Sequence, residues 1–187
     1  MTGSVITPSD VVGFWQSAGP EKWFAKDEAF DEAIRDKFLD LHFAASRNEL
    51  QDWCDTAEGA LALMLLLDQF PRNLFRGSGH AFATDGLARH IADQAMERGF
   101  HLQVEPALAI FFYLPLEHSE QLEDQKRCLA LFQEHFARTG DQVTLDYAQL
   151  HLDIIERFGR FPHRNKALGR VTTPEEITYL EEGGFKG

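Results

Sequence analysis

Five cationic side chains stand within fourteen residues near the carboxyl end of the chain, with no acidic residue among them. They are Arg157, Arg160, Arg164, Lys166 and Arg170. The whole chain is acidic, with a formal net charge of -12, so this local positive charge needs a compensating partner. A planar guanidinium pairs with two oxygens of a carboxylate or a phosphate at once. Either internal carboxylates or an anionic ligand is therefore expected, and the sequence leaves both open.

Two further stretches carry side chains that can bind an anion or transfer a proton. The first contains Asp68, Arg72, Asn73 and Arg76, and the second contains Glu117, His118 and Glu120. Each stretch is predicted at a helix end, where backbone groups are unpaired and loops can converge. We predict that the three stretches meet in one polar pocket. Its ligand-binding residues would be Arg72, Asn73, Arg160, His163, Arg164, Asn165 and Arg170.

His118 is the candidate for proton transfer in this pocket, with Glu117 as its catalytic neighbour. A carboxylate beside an imidazole favours the charged imidazole near neutral pH. Asp68 is predicted in the last turn of a buried helix, where an unpaired carboxylate is costly, so a cation should meet it. The predicted supporting residues are Asp68, Arg76, Glu120 and His151.

The remaining histidines are interpreted from their positions in the sequence. His151 falls within an apolar helical stripe and is expected to fill the core with its ring nitrogens hydrogen-bonded. Five others show no pairing and are expected at the surface: His42, His80, His90, His101 and His135.

Several established chemistries have no motif here. The chain lacks His-Glu-x-x-His, the ferritin-like Glu-x-x-His repeat, a nucleophile elbow and a glycine-rich phosphate loop. The two cysteines form no Cys-x-x-Cys pair, so neither a disulfide framework nor a zinc knuckle is indicated. The nearby arginines also disfavour a divalent cation. We therefore predict no metal and no cofactor.

Composition and charge limit the class of protein and its partners. The length of 187 residues suits one domain, 1–187 with an ordered core at 8–182. The acidic charge argues against nonspecific nucleic-acid binding and against an anionic membrane surface. No signal-peptide pattern and no apolar run of about 20 residues is present, so a cytoplasmic location is expected. Oligomeric state is left open.

Periodicity predicts seven or eight helices, stacked as antiparallel hairpins, and no strand. The helix from 57 to about 70 is apolar on every side, which predicts a central position and an end at Phe70-Pro71. Helix caps are predicted at Thr7, Thr56, Thr84, Ser119 and Thr173.

Two long helices near the carboxyl end each carry an apolar stripe, and both stripes are predicted to face the core. The stripe of the earlier helix comprises Leu122, Leu129, Phe132 and Phe136. The stripe of the later helix comprises Val143, Tyr147, Leu150, Ile154 and Phe158.

Three motifs, in this order, resemble one bacterial family. They read Asp68-Gln-Phe-Pro-Arg-Asn73, Pro115-Leu-Glu-His-Ser-Glu120 and Phe158-Gly-Arg-Phe-Pro-His-Arg-Asn165. The chain resembles the family catalogued as domain of unknown function 924 over nearly its whole length. The resemblance implies an all-helical fold similar to tetratricopeptide superhelices, and it assigns no activity. Relatives often read Pro-Tyr-Arg-Asn where this chain has His163, which argues against His163 as a general base.

Two functional hypotheses follow. In the first, the chain binds a small anionic metabolite, a carboxylate or a phosphate ester, through its Arg, Asn and His residues, and catalysis is left open. In the second, the helical stack is a protein- or peptide-interaction module, and its Arg and Asp signatures are structural. Converging arginines with unsatisfied donors would favour the first hypothesis, whereas a concave face rich in Asn and aromatic residues would favour the second.

Overall fold

The computed structural model describes residues 6–187, and residues 1–5 of the predicted domain lie outside them. Every regular element within residues 6–187 is helical and none is a strand, which confirms the predicted all-α class. The described chain forms two compact units. The first unit comprises 6–76 and His80–Pro115, and the second comprises Gly77–Gly79 and Leu116–Gly187. The single domain over 1–187 and the tetratricopeptide-like superhelix both stay predictions.

The part of the chain that the structure describes has more helical segments than the seven or eight predicted, because short turns interrupt the longer helices. The first unit contains α1 (Pro8–Ala18), α2 (Pro20–Trp23), α3 (Glu28–Ser46), α4 (Ala57–Met64), α5 (Phe70–Leu74), α6 (Asp85–Glu97) and α7 (Pro106–Ala109). A short helix, α8 (Leu114–Glu117), leads into the second unit. A π-helical segment, Leu65–Gln69, joins α4 to α5, and 3-10 turns cover Gln51–Asp55, Gly79–Phe82, Phe100–Leu102 and Ile110–Phe112.

Three of the predicted helix caps are confirmed. The side chains of Thr7, Thr56 and Thr173 each accept a hydrogen bond from a backbone N–H in the first turn of their helix. Thr84 is the N-cap residue of α6, as predicted, but its side chain makes no capping bond, because its hydroxyl donates to the backbone carbonyl of Leu67. The prediction for Ser119 is wrong, because Gln121 is the N-cap of the helix that follows. The Ser119 hydroxyl accepts from the N–H of Gln121 and donates to the carboxylate of Asp124. The hydroxyl of a serine or threonine near a helix start can bond either the first turn of that helix or another group, and tertiary packing determines which.

The central helix of the first unit is the continuous run of α4, the π segment and α5. All residues from 59 to 71 are buried, and the run packs against α1, α3 and α6, as its apolar sequence predicts. The predicted end at Phe70-Pro71 is wrong, because helical structure continues to Leu74.

The π segment explains how a proline fits inside this helix. The N–H of Phe70 donates to the carbonyl of Leu65, five residues earlier, which is the π-helical pattern. Pro71 comes next and has no N–H to donate. The spacing of the backbone hydrogen bonds changes at this point, so the missing N–H of the proline does not break the helix.

Side chains bond the backbone carbonyls around this proline. Nδ1 of His42 lies 2.8 Å from the carbonyl oxygen of Leu66, and the hydroxyl of Thr84 donates to the carbonyl of Leu67 at 2.5 Å. Burial lowers the pKa of His42, and the bond to Leu66 only partly opposes this. The neutral ring that results can donate from Nδ1. The predicted surface position of His42 is therefore wrong, as is that of His135, which is also buried.

The backbone at Gly59 lies very close to the backbone at Trp53. A Cβ built on it would lie 2.2 Å from the backbone oxygen of Trp53, so one backbone must move. We expect Gly59→Ala to lower the free energy of unfolding by about 1–3 kcal/mol. The matched control is Gly13→Ala in α1, where nothing lies within 4 Å of the added Cβ. That change should raise the free energy of unfolding by about 0.5–1 kcal/mol. Urea titration followed by tryptophan fluorescence measures both, and equal effects would contradict this account.

The second unit is organised around a hairpin of two long helices, α9 (Leu122–Thr139) and α10 (Gln142–Phe158). Gly140 turns the chain between them in the left-handed conformation, with φ 74°. A 3-10 turn, Pro162–Arg164, and α11 (Pro174–Glu181) complete the unit. Its apolar cluster contains Ile154, Ile155 and Phe161, with Phe158, Tyr179 and Phe185 packed around them.

The predicted inner stripes of this hairpin are partly wrong. Val143, Tyr147 and Leu150 of α10 are exposed, and so are Leu122 and Phe136 of α9. The buried faces instead carry Gln125, Cys128, Phe132 and His135 on α9, and Ala148, His151, Leu152, Ile154 and Ile155 on α10. Each helix offers two faces at helical spacing, and periodicity alone cannot choose between them.

Candidate functional site

The first group of predicted residues surrounds the buried carboxylate of Asp68 in the π segment. Nη1 of Arg72 lies 3.5 Å from Oδ1 of Asp68, and the amide of Gln69 donates to Oδ2 at 2.6 Å. Arg72 also donates to both carboxylate oxygens of Asp85, at 3.1 and 3.2 Å, and to the backbone carbonyl of Asp68. The prediction that a cation meets Asp68 is confirmed.

The charge state of Arg72 follows from these neighbours. Burial lowers the pKa of its guanidinium, but the negative charges of Asp68 and Asp85 outweigh burial, and the pKa is raised. One partly buried cation therefore lies between two buried carboxylates.

Asn73 and Arg76 both bind the carboxylate of Asp31 in the first turn of α3. The Asn73 amide donates to Oδ1 at 2.7 Å, and the Arg76 guanidinium donates to both carboxylate oxygens, with Nη2 to Oδ1 at 2.9 Å. Asp31 thereby ties the start of α3 to the end of the central helix, through Asn73, and to the chain just beyond it, through Arg76. This bidentate geometry is the strong form of an arginine–carboxylate pair.

In the second unit, Arg170 and Glu120 form a bidentate ion pair. Nη1 and Nη2 of Arg170 lie 2.7 and 3.0 Å from the two oxygens of Glu120, and Nε donates to Oδ1 of Asn165 at 2.9 Å. The backbone N–H of Phe161 adds a bond to Glu120 at 2.8 Å. Burial raises the pKa of Glu120, but these bonds and the charges of Arg170 and Arg164 outweigh burial, so the pKa is lowered.

Glu176 of α11 is a buried anion of the same unit. Arg160 donates to its two oxygens at 2.6 and 2.8 Å, the Asn165 amide donates at 3.1 Å, and the backbone N–H of Thr173 donates at 2.7 Å. The hydrogen bond from Arg160 is the largest cause that lowers the pKa of Glu176 from 4.5 to about 2. Asn165 bridges the two ion pairs, because its oxygen accepts from Arg170 while its nitrogen donates to Glu176.

Arg164 is buried and holds the chain that carries the predicted catalytic histidine. Its Nη1 donates to the backbone carbonyl of His118 at 2.9 Å, and its guanidinium lies over the ring of Phe161 at 4.5 Å. His118 is half-buried. The ring of His163, also half-buried, packs against those of Phe161 and Phe185.

Glu117 and His151 form a buried pair. Nδ1 of His151 lies 3.5 Å from Oε1 of Glu117 and 2.8 Å from the backbone oxygen of Tyr147. His151 is buried in the core, as predicted, and its Nδ1 is hydrogen-bonded. Glu117 and Glu120 both flank His118 in the sequence. In the structure, Glu117 lies beside His151 and the carboxylate of Glu120 is bound by Arg170.

The comparisons with known proteins agree with the signature stretches. Residues 11–184 match the model of a family described as bacterial protein of unknown function (DUF924). The chain belongs to this family.

A solved structure supports the architecture. It is described as the structure of a protein of unknown function, ATU0120, from Agrobacterium tumefaciens, and it is 55% identical to this chain. The match covers 94% of this chain and 97% of that one, with a TM-score of 0.89. No curated protein matches this chain.

Within this DUF924 chain, the structure brings Glu120, Arg160, Asn165 and Arg170 into one hydrogen-bonded network. Asp68, Arg72, Asn73 and Arg76 lie in the first unit. The single pocket gathering all three stretches stays a prediction.

Among residues 6–187, no three His, Cys, Asp or Glu side chains are grouped so that they could hold a metal ion. None of the described helices has the length and apolar character needed to cross a bilayer.

Sequence reasoning missed the acidic partners of the DUF924 arginines. Asp31, Asp85 and Glu176 pair with Arg76, Arg72 and Arg160 respectively. Glu176 was visible only as part of a helix-capping box, and its pairing with an arginine sixteen residues earlier had no local signal. Arg157 likewise pairs with Glu175. Three of the five clustered cations therefore have carboxylate partners within the second unit.

Proposed function

We propose that the chain is a protein-interaction module that binds a basic, amphipathic helix on the exposed apolar face of the α9–α10 hairpin. One observation carries the proposal. Val143, Tyr147 and Leu150 of α10 are 65%, 49% and 37% exposed, at a spacing of four and then three residues. Residues at this spacing lie on one side of a helix, so the three side chains form a continuous stripe.

The partner helix of the hairpin supports the same proposal. On α9, the apolar side chains of Leu122 and Phe136 are exposed, whereas Gln125 and His135 are buried. A helix that only faces water on its outer side normally has the opposite distribution. Contiguous exposed apolar surface, such as the stripe on α10, is typical of an interaction site.

The charges beside the stripe favour one kind of partner. Asp146 and Asp153 lie three residues after Val143 and Leu150, so they neighbour the stripe on the helix, and both are exposed. Together with the net charge of -12, they favour a basic partner. A second copy of this chain on the same face would place these acids against one another. An amphipathic helix with lysine or arginine beside its apolar face fits both features.

Two synthetic helical peptides test the proposal by isothermal titration calorimetry. Both carry leucines at one face, and they differ only in having lysines or glutamates beside that face. We expect the lysine peptide to bind and the glutamate peptide not to bind. Replacing both Val143 and Leu150 with serine should weaken binding by about tenfold or more. The control Val171→Ser alters a side chain that is 85% exposed and lies outside the hairpin, and it should bind like the wild type.

Other outcomes would overturn the proposal. Equal binding of both peptides, or full binding by the double serine variant, would exclude recognition by this face. A concentration-dependent dimer that the double variant abolishes would assign the face to a second copy.

The small-anion hypothesis is the second candidate, and Arg164 is the residue that supports it. A buried guanidinium against an aromatic ring is suited to a planar carboxylate or to a phosphate ester. Against it, carboxylates already engage Arg72, Arg160 and Arg170. If inorganic phosphate raises the melting temperature of the wild type, and a folded Arg164→Ala variant loses that shift while neither peptide binds, this hypothesis replaces the first.

A further inference from the structure

A cleft of about 380 Å³ lies within the first unit, between the carboxyl end of α3, the 3-10 turn Gln51–Asp55, α4 and α6. Its volume is within the usual range for small-molecule sites. Ten residues line it: Ala45, Asn48, Leu50, Gln51, Cys54, Leu63, Leu87, His90, Ile91 and Gln94. None of them belongs to the signature motifs.

The composition of this lining selects for an uncharged molecule. Half of the ten side chains are apolar, and none of the ten is Asp, Glu, Lys or Arg, although the chain as a whole carries a net charge of -12. An apolar body can lie against Ala45, Leu63 and Ile91, whereas a charged group would meet no charged side chain among the ten lining residues.

Apart from the Cys54 thiol, the polar side chains of the cleft are three amides and an imidazole, and all four are exposed. His90 and Gln94 are one turn apart on α6, and their Nε2 atoms lie 3.2 Å apart. When the Gln94 amide donates in this pair, Nε2 of His90 accepts, and the ring proton is on Nδ1. Asn48 takes a left-handed backbone conformation, φ 59°, where the chain leaves α3. The carboxamides of Asn48, Gln51 and Gln94 each offer a donor and an acceptor, which is the complement of another carboxamide.

Cys54 adds a neutral group to the wall. Burial, with the charge of Asp55, raises the pKa of its thiol, and the charge of Arg98 opposes this. The side chain is half-buried, so a reagent can reach it, whereas Cys128 of the second unit is fully buried. The two thiols therefore provide a reporter and an internal reference.

We infer that this cleft binds a small neutral carboxamide with an apolar body, held by the amide and imidazole groups against the aliphatic wall. The site is independent of the helix-binding face proposed for α9–α10, because it lies in the other unit.

Matched pairs of probes test this inference. Benzamide and hexanamide share their apolar bodies with benzoate and hexanoate, and only the charge of the polar group differs. In amide NMR spectra of the whole chain, we expect the carboxamides to shift resonances of α6 and the Gln51–Asp55 turn in a saturable manner, with Kd of about 1 mM or tighter. The carboxylates should bind at least about tenfold more weakly.

Thiol labelling gives a second readout on the wild type. A saturating carboxamide should slow the labelling of Cys54 at least about twofold, while the slow labelling of Cys128 stays unchanged. Leu87→Phe would fill part of the cleft from its half-buried wall and should abolish both effects. Gln94→Leu keeps the volume but removes the amide, and it should abolish the preference for carboxamide over carboxylate.

Three results would overturn the inference. These are equal binding of amide and acid, shifts that map outside the cleft, and a Cys54 labelling rate that saturating amide does not change. The labelling experiment needs no substitution, so a variant that fails to fold leaves the test intact.

Discussion

Replacing Arg72 with methionine is expected to lower the free energy of unfolding by about 3–5 kcal/mol, which is the usual cost of removing one partner of a buried ion pair. Methionine keeps much of the apolar volume but removes the guanidinium. Asp68, which is fully buried, and Asp85 would then share a site without their cation. The backbone carbonyl of Asp68 would also lose a donor.

A matched control separates burial from the loss of an arginine. Arg47 pairs with Glu49 through two hydrogen bonds, but both side chains are more than half exposed. Arg47→Met should therefore cost at most about 1 kcal/mol. Trp15, Trp23 and Trp53 all lie in the first unit, so tryptophan fluorescence in urea reports this unit directly. A cost for Arg72→Met as small as that of the control would show that Asp68 does not depend on Arg72.

Glu176→Gln is expected to destabilise the protein by about 2–3 kcal/mol at pH 7 and to make its free energy of unfolding less dependent on pH in the acid range. The pKa of Glu176 is lowered from 4.5 to about 2 in the folded state. Its contribution to stability is therefore fully present above pH 4.5 and is lost as the pH falls towards 2. Between pH 7 and pH 3 the wild type should lose about 2 kcal/mol that the variant does not lose.

The adjacent residue provides the control for this prediction. Glu175 pairs with Arg157, but both side chains are more than half exposed, so Glu175→Gln should cost at most about 1 kcal/mol. Urea titrations at pH 7, 5 and 3, followed by circular dichroism, measure all three proteins. If the wild type and Glu176→Gln lose stability in parallel between pH 7 and pH 3, the ion pair with Arg160 is not the cause of the low pKa.

Features set by local chemistry were predictable from the sequence. The caps at Thr7 and Thr173 and the turn at Gly140 depend on side chains within a few residues of a helix end, and the structure has all three. The path of the chain at Pro71 depended on tertiary structure, because a π turn allows the helix to continue. The exposure of Val143 and Tyr147 also depended on tertiary structure, since a different face of α10 packs into the core.

The kind of interaction that the arginines make was predictable from the sequence, but the residues with which they pair were not. The sequence indicated that the clustered arginines require negative charge, and the structure pairs most of them with carboxylates. The chain has 30 acidic residues, and the partners Asp31 and Asp85 lie 45 and 13 positions from their arginines. Choosing among so many carboxylates requires the fold. The cleft beside α6 was missed for a related reason, because its wall combines ordinary residues from four separate segments.

The π turn at Leu65–Gln69 has a consequence for how this family can vary in length. A π turn holds one residue more per hydrogen-bonded turn than an α-helix, so removing one residue here would restore the α-helical pattern and leave the direction of Arg72 and Asn73 largely unchanged. The α-helical pattern would bring the ring of Pro71 against the backbone carbonyl four residues before it. The π turn and the proline that follows it should therefore be kept or lost together in this family.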